Sequence, residues 1–555
     1  MTTTAEAQDR WQARSMVITK RGIAATSQTL ASQAGAMILA RGGSAVDAAI
    51  AANAVLGVVE PMMNGIGGDL FAIVRDPKTG KLSGLNASGY APRALTPQLV
   101  QQRGHHSMPE DGILSVTVPG CVDGWEKMHR KFGKLSWSEL FEPAIYYARE
   151  GFPVTEWIAG SWHAGRAKLM ADENSRRVYL PNGAAPKVGE VFRNPELARA
   201  LELIAAQGAP AFYKGDIAKA LLKTSKRLNG PLDAADLAEY QSEWVPTIST
   251  TYRGWRVHEL PPNSQGIAAL SMLNLMEHFP LGNWEPLGAD ALHRKMEAQK
   301  LAYADLNRYI GDPRHSNIPV EGLLAKDYAA KRAESIDPAK AMCEAEPGKP
   351  SLPSAGDTIY LSTVDSDGMV VSLIQSVYLS FGSGIAADDF GFHLHNRGAL
   401  FTLDAGHPNE LKPRKRPFHT IIPGYMEKDN LHAAFGIMGG LNQAQAHAQY
   451  VSNYVDHGMN IQSAMEAPRF TKLNFSGCDV KVERRVPPSV IDELRERGHI
   501  VQIMNSFDSA MGGGQAVLHD SKNKVNYGAS DPRKDGAAVP EPDPYFGAPR
   551  ITQKR

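Results

Sequence analysis

The junction between a polar segment and a strand-forming segment contains the residue best suited to act as a nucleophile. Residues 344–356 (EAEPGKPSLPSAG) are rich in Pro, Gly and Ser, and Asp357 and Thr358 follow directly. If the peptide bond before Thr358 were cut, the chain would expose a new α-amine beside the Thr hydroxyl. An N-terminal Thr supplies a nucleophile and its general base in one residue. Threonine is also a good strand former, so this junction alone does not show whether Thr358 is catalytic or only part of a strand.

The elements on the two sides of the junction differ in character. Before it the sequence predicts mainly helices, among them an Ala-rich helix over Ala45–Val59 that suits close packing on a sheet, and a hairpin over 71–87. After it the sequence predicts two strands, 358–364 and 370–376, joined by an Asp-Ser-Asp-Gly turn, with further strands at 431–436 and 515–518. On composition alone, residues 344–356 are typical of a linker between domains.

Blocks of sequence along the chain resemble the gamma-glutamyltransferase family, whose members are N-terminal nucleophile hydrolases that cut themselves before a Thr. At the junction these blocks are TIYLSTVDSDG (358–368), VSL (371–373) and FGSG (381–384). Elsewhere they are GGSAVDAA (42–49), VEP (59–61), GIGG (65–68), SVTVPG (115–120), YRG (252–254), LAYAD (301–305) and DPRKDGAA (531–538). Their number and their common order make a chance match improbable.

The resemblance implies an α+β fold, a four-layer αββα sandwich of the N-terminal nucleophile hydrolase type. It implies a flexible tail at 1–15, a helix-rich large subunit at 16–357 that ends in a processing linker (344–357), and a small subunit at 358–555. Both fragments would form one composite domain after cleavage of the Asp357–Thr358 bond.

The resemblance also implies roles for four residues. Thr358 would be the nucleophile of self-cleavage and of turnover, and Ser376 stands where the family has a Thr hydroxyl that hydrogen-bonds the nucleophile. Gly439 and Gly440 match the pair whose backbone N–H groups form the oxyanion hole. Glycine allows the backbone to approach a tetrahedral oxyanion closely. Without Thr358, this pair would indicate only an ordinary tight turn.

Three departures from the family pattern concern the substrate. Ser88 stands where gamma-glutamyl enzymes carry an Arg for the substrate α-carboxylate, and no acid follows Asn396 before Asp404, where the family has an Asp for the α-ammonium. A Ser-Ser pair expected after Pro417 is replaced by Phe-His-Thr at 418–420. Losing a bidentate carboxylate contact is costly, so these departures disfavour a gamma-glutamyl substrate.

Other polar residues are predicted to contact the substrate instead: Arg397, His419, Thr420, Asn396 and Tyr378. An Arg can bind a carboxylate through two hydrogen bonds, and a His can donate or accept. A structural ion pair for Arg397 and a core contact for His419 stay equally open. The pattern over 374–399 resembles a sub-branch of the family that includes oxamate amidohydrolase.

The sequence therefore predicts a self-cleaving threonine amidohydrolase that acts through an acyl-enzyme on a small, carboxylate-bearing, oxamate-like amide. One alternative is a gamma-glutamyl hydrolase or transferase acting on glutathione or gamma-glutamyl amides. A second alternative is an uncleaved binding or scaffold protein. The short segment 404–413 leaves little chain for a lid and favours water as the acceptor.

Composition and charge limit the partners. Lys and Arg number 59 and Asp and Glu number 59, so the formal net charge is zero and nucleic acid is not an expected partner. No secretory signal or bilayer-spanning run is visible, so we expect a cytoplasmic protein without a membrane partner. We expect a small-molecule amide substrate, no cofactor, no metal, and association of the large and small fragments. A dimer of such heterodimers is left open.

The cysteine and histidine spacing predicts no metal or disulfide site. Cys121, Cys343 and Cys478 lie far apart without a CxxC pair. His393 and His395 alternate along a possible strand without an assignable third ligand, and we expect them to be ordinary surface histidines.

Overall fold

The computed structural model describes residues 12–346 and 357–547, with the main chain alone at 357, 358, 546 and 547. Most of the predicted tail (1–15) and of the predicted processing linker (344–357) lies outside the described residues. The strands, numbered β1–β19 in chain order, are Val17–Thr19, Ile23–Thr26, Asp69–Arg75, Leu82–Ala87, Phe152–Pro153, Val191–Phe192, Glu243–Val245, Ile248–Tyr252, Trp255–Glu259, Asp357–Val364, Val370–Tyr378, Gly424–Lys428, Leu431–Ile437, Phe470–Thr471, Asp479–Glu483, Ile500–Met504, Gly514–Asp520, Val525–Ser530 and Ala537–Pro540.

The α-helices, numbered α1–α20 in chain order, are Thr29–Ala40, Ala45–Val59, Pro97–Gln102, Cys121–Phe132, Glu142–Glu150, Glu156–Ala164, Arg166–Ala171, Glu173–Tyr179, Pro195–Gln207, Ala209–Tyr213, Asp216–Arg227, Ala234–Ala238, Gly266–Met276, Ala289–Tyr309, Val320–Leu324, Lys326–Ala333, Asn442–Val455, Ile461–Glu466, Pro488–Glu496 and Pro544–Gly547. The predicted helix over Ala45–Val59, the hairpin β3–β4 and the pair β10–β11 are all confirmed.

Two seven-stranded antiparallel sheets form the centre of the molecule. Sheet I has the strand order β1-β18-β17-β13-β12-β9-β8, and sheet II has the order β19-β2-β10-β11-β3-β4-β7. Apolar side chains of both sheets pack against each other, for example Phe71, Tyr360 and Ile374 of sheet II with Tyr425 and Val517 of sheet I. The alternating residues on the opposite faces pack under helices, as expected for half-buried strands.

Helices cover the outer face of each sheet. On sheet II, α2 is almost entirely buried because its Ala-rich surface allows close approach to the strands. The outer face of sheet I packs against α13, α17 and α18, and α14 packs on α13. The predicted four-layer αββα sandwich is therefore confirmed.

Each sheet combines strands from both sides of the Asp357–Thr358 bond. In sheet II, β10 lies between β2 and β11, so a strand that follows residue 356 pairs with one from the start of the chain. Sheet I likewise combines β1, β8 and β9 with four later strands. Neither part of the chain can complete these sheets without the other.

A disulfide connects Cys343 with Cys478, whose Cα atoms lie 4.5 Å apart, and this corrects the expectation that no disulfide forms. The two cysteines are 135 residues apart in sequence, so their spacing gave no signal. Disulfides persist mainly in oxidising compartments, and the bridge weighs against the cytoplasmic location expected from the sequence. Among the described residues, no helix combines the length and apolar character needed to cross a membrane.

The disulfide should keep the two parts of a cleaved chain covalently joined, because Cys343 precedes the Asp357–Thr358 bond and Cys478 follows it. Cleaved protein should run near 60.2 kDa on a denaturing gel without reductant and as two smaller bands with reductant. The Cys343→Ser variant should give two bands under both conditions. Cys121→Ser is the matched control, since Cys121 is a free buried cysteine, and it should behave like the unmodified protein. Wild-type protein that separates without reductant would contradict this prediction.

Candidate active site

The pairing between β10 and β11 is irregular opposite Thr358. Asp357 pairs with Tyr378 and Ile359 pairs with Gln375, so two residues of β11, Ser376 and Val377, lie opposite the single residue Thr358. Bulges of this kind are common beside active sites because they redirect a side chain. The strand then continues regularly, and Tyr360 packs between the sheets against Gly436 of β13, where an added Cβ would lie 2.4 Å from the Tyr360 ring.

Ser376 and Tyr378 lie at the end of β11, next to the start of β10. Ser376 is buried and stands opposite Asp69 of β3, and its Oγ accepts a hydrogen bond of 2.7 Å from the Tyr378 amide. Tyr378 has a φ of 78°, which turns the chain away from the sheet at this point. The ends of β3, β10 and β11 therefore meet at one edge of sheet II.

The turn of Gly439 and Gly440 connects β13 with α17. Both residues have positive φ values, 122° and 59°, a conformation that favours glycine. Gln265 Nε2 donates to the Gly440 carbonyl at 2.7 Å and also to the carbonyl of Thr420. Within the described part of the chain, neither glycine N–H donates a hydrogen bond. Two backbone donors thus remain at the N-terminal end of a 14-residue helix, where the helix dipole favours negative charge.

A cluster of buried charged and imidazole groups surrounds Asp69. His419 Nε2 donates to Asp69 Oδ2 at 2.8 Å, and Asp69 Oδ1 accepts from the Gly89 amide at 3.0 Å. His395 Nδ1 lies 3.6 Å and Arg397 Nε 3.9 Å from the same Oδ2 atom. All four side chains are inaccessible to solvent, so each charge is felt strongly by the others.

Burial dominates the acid–base properties of this cluster. Desolvation raises the pKa of Asp69 from 3.8 to about 7, although Arg397 acts in the opposite direction. Desolvation also lowers the pKa of His395 to about 3 and takes the pKa of His419 well below its ordinary value. Both histidines are neutral near pH 7, where Asp69 is close to its titration midpoint.

Arg397 keeps unused hydrogen-bonding capacity. Burial lowers its pKa to about 10, which still leaves it charged at neutral pH. Its Nη1 donates to Thr420 Oγ1 at 2.8 Å, and its guanidinium stacks on Tyr378, 4.5 Å from the ring centroid. Its Nε and Nη2 atoms have no hydrogen-bond partner among the described residues. A buried cation with free donors is suited to bind a carboxylate.

The other residues predicted for the substrate have partners within the protein. Asn396 Oδ1 accepts from the Leu379 amide at 3.0 Å, and its Nδ2 donates to the Glu110 carbonyl at 2.6 Å. His393 and His395 are buried rather than on the surface, which corrects that expectation, since His393 contacts Ser175 and His395 contacts Thr117.

Ser88 lies in a buried polar network. Its Oγ donates to Asn86 Oδ1 at 2.7 Å and accepts from Asn263 at 3.2 Å. Arg416 Nε donates to the Ser88 carbonyl at 3.2 Å and its other nitrogens bond to Glu243 and Tyr90, so this guanidinium is already occupied.

A cavity of about 400 Å³ opens beside Tyr378. Its walls are largely apolar, including Leu306, Ile310, Leu400 and Phe418, and its polar lining includes His106, Glu110, Asp404, His407 and Asn409. Apolar cavities with a few polar groups are typical of small-molecule sites. Arg397 does not line this cavity and lies behind the Tyr378 ring, within the protein.

The structure brings most of the predicted residues to one edge of the sheets. Arg397, Thr420, Gln265 and Gly440 form a continuous chain of hydrogen bonds, and Tyr378 joins it to β11. Sequence reasoning did not identify Asp69, Gln265 or Asn442, which also contacts the glycine turn. For Asp69, a carboxylate directly after Gly67-Gly68 at the start of a strand was the available signal.

Comparisons with known proteins agree with this architecture. The family model described as gamma-glutamyltranspeptidase matches residues 31–541. The chain is 36% identical over 528 residues to the glutathione hydrolase-like YwrD proenzyme of Bacillus subtilis, covering 94% of this chain and 99% of that protein. It is 34% identical over 532 residues to the oxamate amidohydrolase proenzyme of Klebsiella pneumoniae, with 94% and 99% covered. The crystal structure of cephalosporin acylase from Bacillus halodurans superposes with a TM-score of 0.90 at 40% identity, over 97% of this chain and 99% of that one.

The raised pKa of Asp69 should make stability depend on pH. Protonation of Asp69 favours the folded state, so this contribution is complete below about pH 4 and is lost as the pH rises through about 7. The urea midpoint of the wild type relative to Asp69→Asn should therefore fall between these pH values and level off above them. Asp76→Asn, which alters an exposed turn carboxylate, is the control and should not reproduce this trend. If the difference between the urea midpoints of the wild type and Asp69→Asn does not change with pH, the raised pKa of Asp69 is contradicted.

Proposed function

The chain belongs to the gamma-glutamyltranspeptidase family of N-terminal nucleophile hydrolases, and from this we propose that Thr358 is the nucleophile of an amidohydrolase that cuts its own chain. Membership makes the chain an enzyme, and the scaffold alternative is set aside. The names of relatives as proenzymes support maturation by cleavage. Two observations support this assignment: the irregular strand pairing opposite Thr358, and the Gly439 and Gly440 N–H groups, which donate no hydrogen bond among the described residues.

Maturation begins when the Thr358 hydroxyl attacks the carbonyl carbon of Asp357. The acyl group moves from nitrogen to oxygen, which converts the peptide bond to an ester and frees the Thr358 α-amine. Water then hydrolyses the ester and leaves a carboxylate on Asp357 and a free hydroxyl on Thr358. The buried Ser376 hydroxyl lies at the neighbouring strand end, where it is able to orient the nucleophile.

Turnover repeats this chemistry on a substrate amide. The Thr358 α-amine takes the hydroxyl proton as the oxygen attacks the amide carbon, and the Gly439 and Gly440 N–H groups stabilise the oxyanion. The protonated α-amine gives its proton to the leaving nitrogen, so the C–N bond breaks and an acyl-enzyme forms. Water, activated by the same amine, releases the acid.

The free Nε and Nη2 donors of Arg397 carry our proposal for the substrate. We assign to them a carboxylate on a small amide, and Thr420 and Tyr378 hold the guanidinium in place. In the uncleaved chain Arg397 is fully enclosed, so this recognition requires that maturation opens the space beside it. An oxamate-like amide carries such a carboxylate and no α-ammonium, and the 34% identity to an oxamate amidohydrolase supports this choice.

A gamma-glutamyl substrate is the second candidate, and it is supported by the 36% identity to a glutathione hydrolase-like protein. Against it, Ser88 supplies no cation, and the nearby Arg416 is saturated by Glu243, Tyr90 and the Ser88 carbonyl. Segment 404–413 lines part of the cavity rather than closing it, which supports water as the acceptor. Parallel hydrolysis assays of oxamate and of a gamma-glutamyl anilide, with and without a dipeptide acceptor, separate these possibilities.

Replacing Thr358 with Ala should abolish both cleavage and turnover, because it removes the attacking oxygen. On a reducing denaturing gel the variant should remain one band, and amide hydrolysis should fall by at least about 10³-fold. Thr358→Ser keeps the hydroxyl and should be cleaved, with partial activity. A Thr358→Ala protein that still separates into two pieces would show that the nucleophile is another residue.

Replacing Arg397 with Lys should weaken binding of carboxylate-bearing amides, because Lys keeps the charge but loses the planar pair of donors. We expect KM to rise about 10- to 100-fold, the effect of about 1.5–3 kcal/mol for a charged hydrogen bond. The matched control is the methyl ester of the same amide, whose KM should change far less. Equal changes for acid and ester would assign Arg397 a structural role only.

A further inference from the structure

Asn442, the first residue of α17, contacts the glycine turn through both its backbone and its side chain. Its backbone N–H donates to the Gly439 carbonyl at 3.0 Å, and its Nδ2 donates to the Met438 carbonyl at 3.3 Å. The same Nδ2 donates to the carbonyl of Met511 at 2.9 Å, which ties the side chain to a second segment. Asn442 is fully buried, so water does not compete for these contacts.

These contacts determine where the glycine N–H groups point. In a trans peptide the C=O and N–H bonds point in opposite directions. The carbonyl of Met438 belongs to the peptide that carries the Gly439 N–H, and the carbonyl of Gly439 belongs to the peptide that carries the Gly440 N–H. Since both carbonyls are directed at Asn442, both N–H groups are directed away from it and toward the same side of the turn.

The surroundings leave little freedom for another arrangement. A Cβ at Gly439 would lie 3.2 Å from Asn442 Nδ2, and one at Gly512 would lie 1.9 Å from the Met438 carbonyl oxygen. The carbonyl of Gly440 is held separately by Gln265 at 2.7 Å. The Oδ1 atom of Asn442 has no hydrogen-bond partner among the described residues, so the side chain acts there only as a donor, through Nδ2.

We infer that Asn442 is the positioning residue of the oxyanion hole: its two N–H donors hold the Met438 and Gly439 carbonyls, and this aims the Gly439 and Gly440 N–H groups at the developing oxyanion. The inference rests on the proposed role of the glycine pair in amide hydrolysis. Preorganised donors act mainly on the transition state, because charge develops on the oxygen only there. The chemistry requires an amide at this position, since an Asp carboxylate would face the Met438 and Met511 carbonyls with like partial charge.

The kinetic test compares Asn442→Ala, Asn442→Asp and the wild type on the same amide. The kcat of Asn442→Ala should fall about 10- to 100-fold, less than the ~10²–10³-fold loss that follows removal of an oxyanion donor, while KM changes less than about twofold. The kcat of Asn442→Asp should fall further than that of Asn442→Ala. The control Asn453→Ala removes another buried Asn of α17, whose Nδ2 contacts the Ala464 carbonyl, and it should keep the wild-type kcat. An unchanged kcat in Asn442→Ala, or an equal loss in Asn453→Ala, would overturn the inference.

A crystal structure of Asn442→Ala tests the positioning without using activity. The inference predicts that the Met438–Gly439 peptide rotates once the Nδ2 contact is lost, and that the Gly439 N–H changes direction. A peptide that keeps its orientation would overturn the inference even if the wild-type enzyme were fully active. If the wild type hydrolyses no amide but the Met438–Gly439 peptide rotates in Asn442→Ala, the proposed function fails, whereas the positioning role of Asn442 is supported.

Discussion

The pairing of β10 on both of its edges is the constraint on which the rest of the structure depends. This strand begins at the bond predicted to be cut, and it lies between β2 and β11 near the middle of sheet II. A strand in this position must be paired before its first residue can be held in a defined orientation, because unpaired backbone groups in the interior are costly. If the chain is cut before Thr358 as proposed, the sandwich has to form before cleavage, and the cleaved product keeps strand ends that are already assembled.

The same constraint explains why charged groups can be concentrated at the sheet edge. Asp69, His395, Arg397 and His419 come from three separate segments, and the strand ends bring them together out of contact with water. Isolated buried charges are unfavourable, but here the carboxylate accepts from His419 and from the Gly89 amide. Arg397 is only loosely paired with Asp69, so part of its hydrogen-bonding capacity remains for a ligand.

Local sequence patterns predicted the helices and strands well, whereas they gave no prediction of contacts between segments that are distant in sequence. The hairpin β3–β4, the helix α2 and the strands β10 and β11 follow from periodicity and turn residues within short windows. The disulfide joins residues 135 positions apart, and the Asp69–His419 contact joins residues 350 apart. Neither spacing carries a signal in one sequence. The nucleophile and the glycine pair were predicted only because ordered blocks along the chain resemble a family, since Thr358 alone is an ordinary strand residue.

The Ser at position 88, where gamma-glutamyl enzymes carry an Arg, is part of a hydrogen-bond network that an Arg would disrupt. The small Ser88 side chain bonds to Asn86 and Asn263, and its carbonyl accepts from the buried Arg416. An Arg side chain at position 88 would have to displace this network and would place a second guanidinium beside Arg416, at a cost in desolvation and like-charge repulsion. Arg397, the cation to which we assign the substrate carboxylate, lies on a different segment of the chain and keeps Nε and Nη2 without a partner among the described residues. In the proposed function, the substrate preference of this chain would therefore depend on a buried cation that keeps free donors, Arg397, rather than on an Arg at position 88.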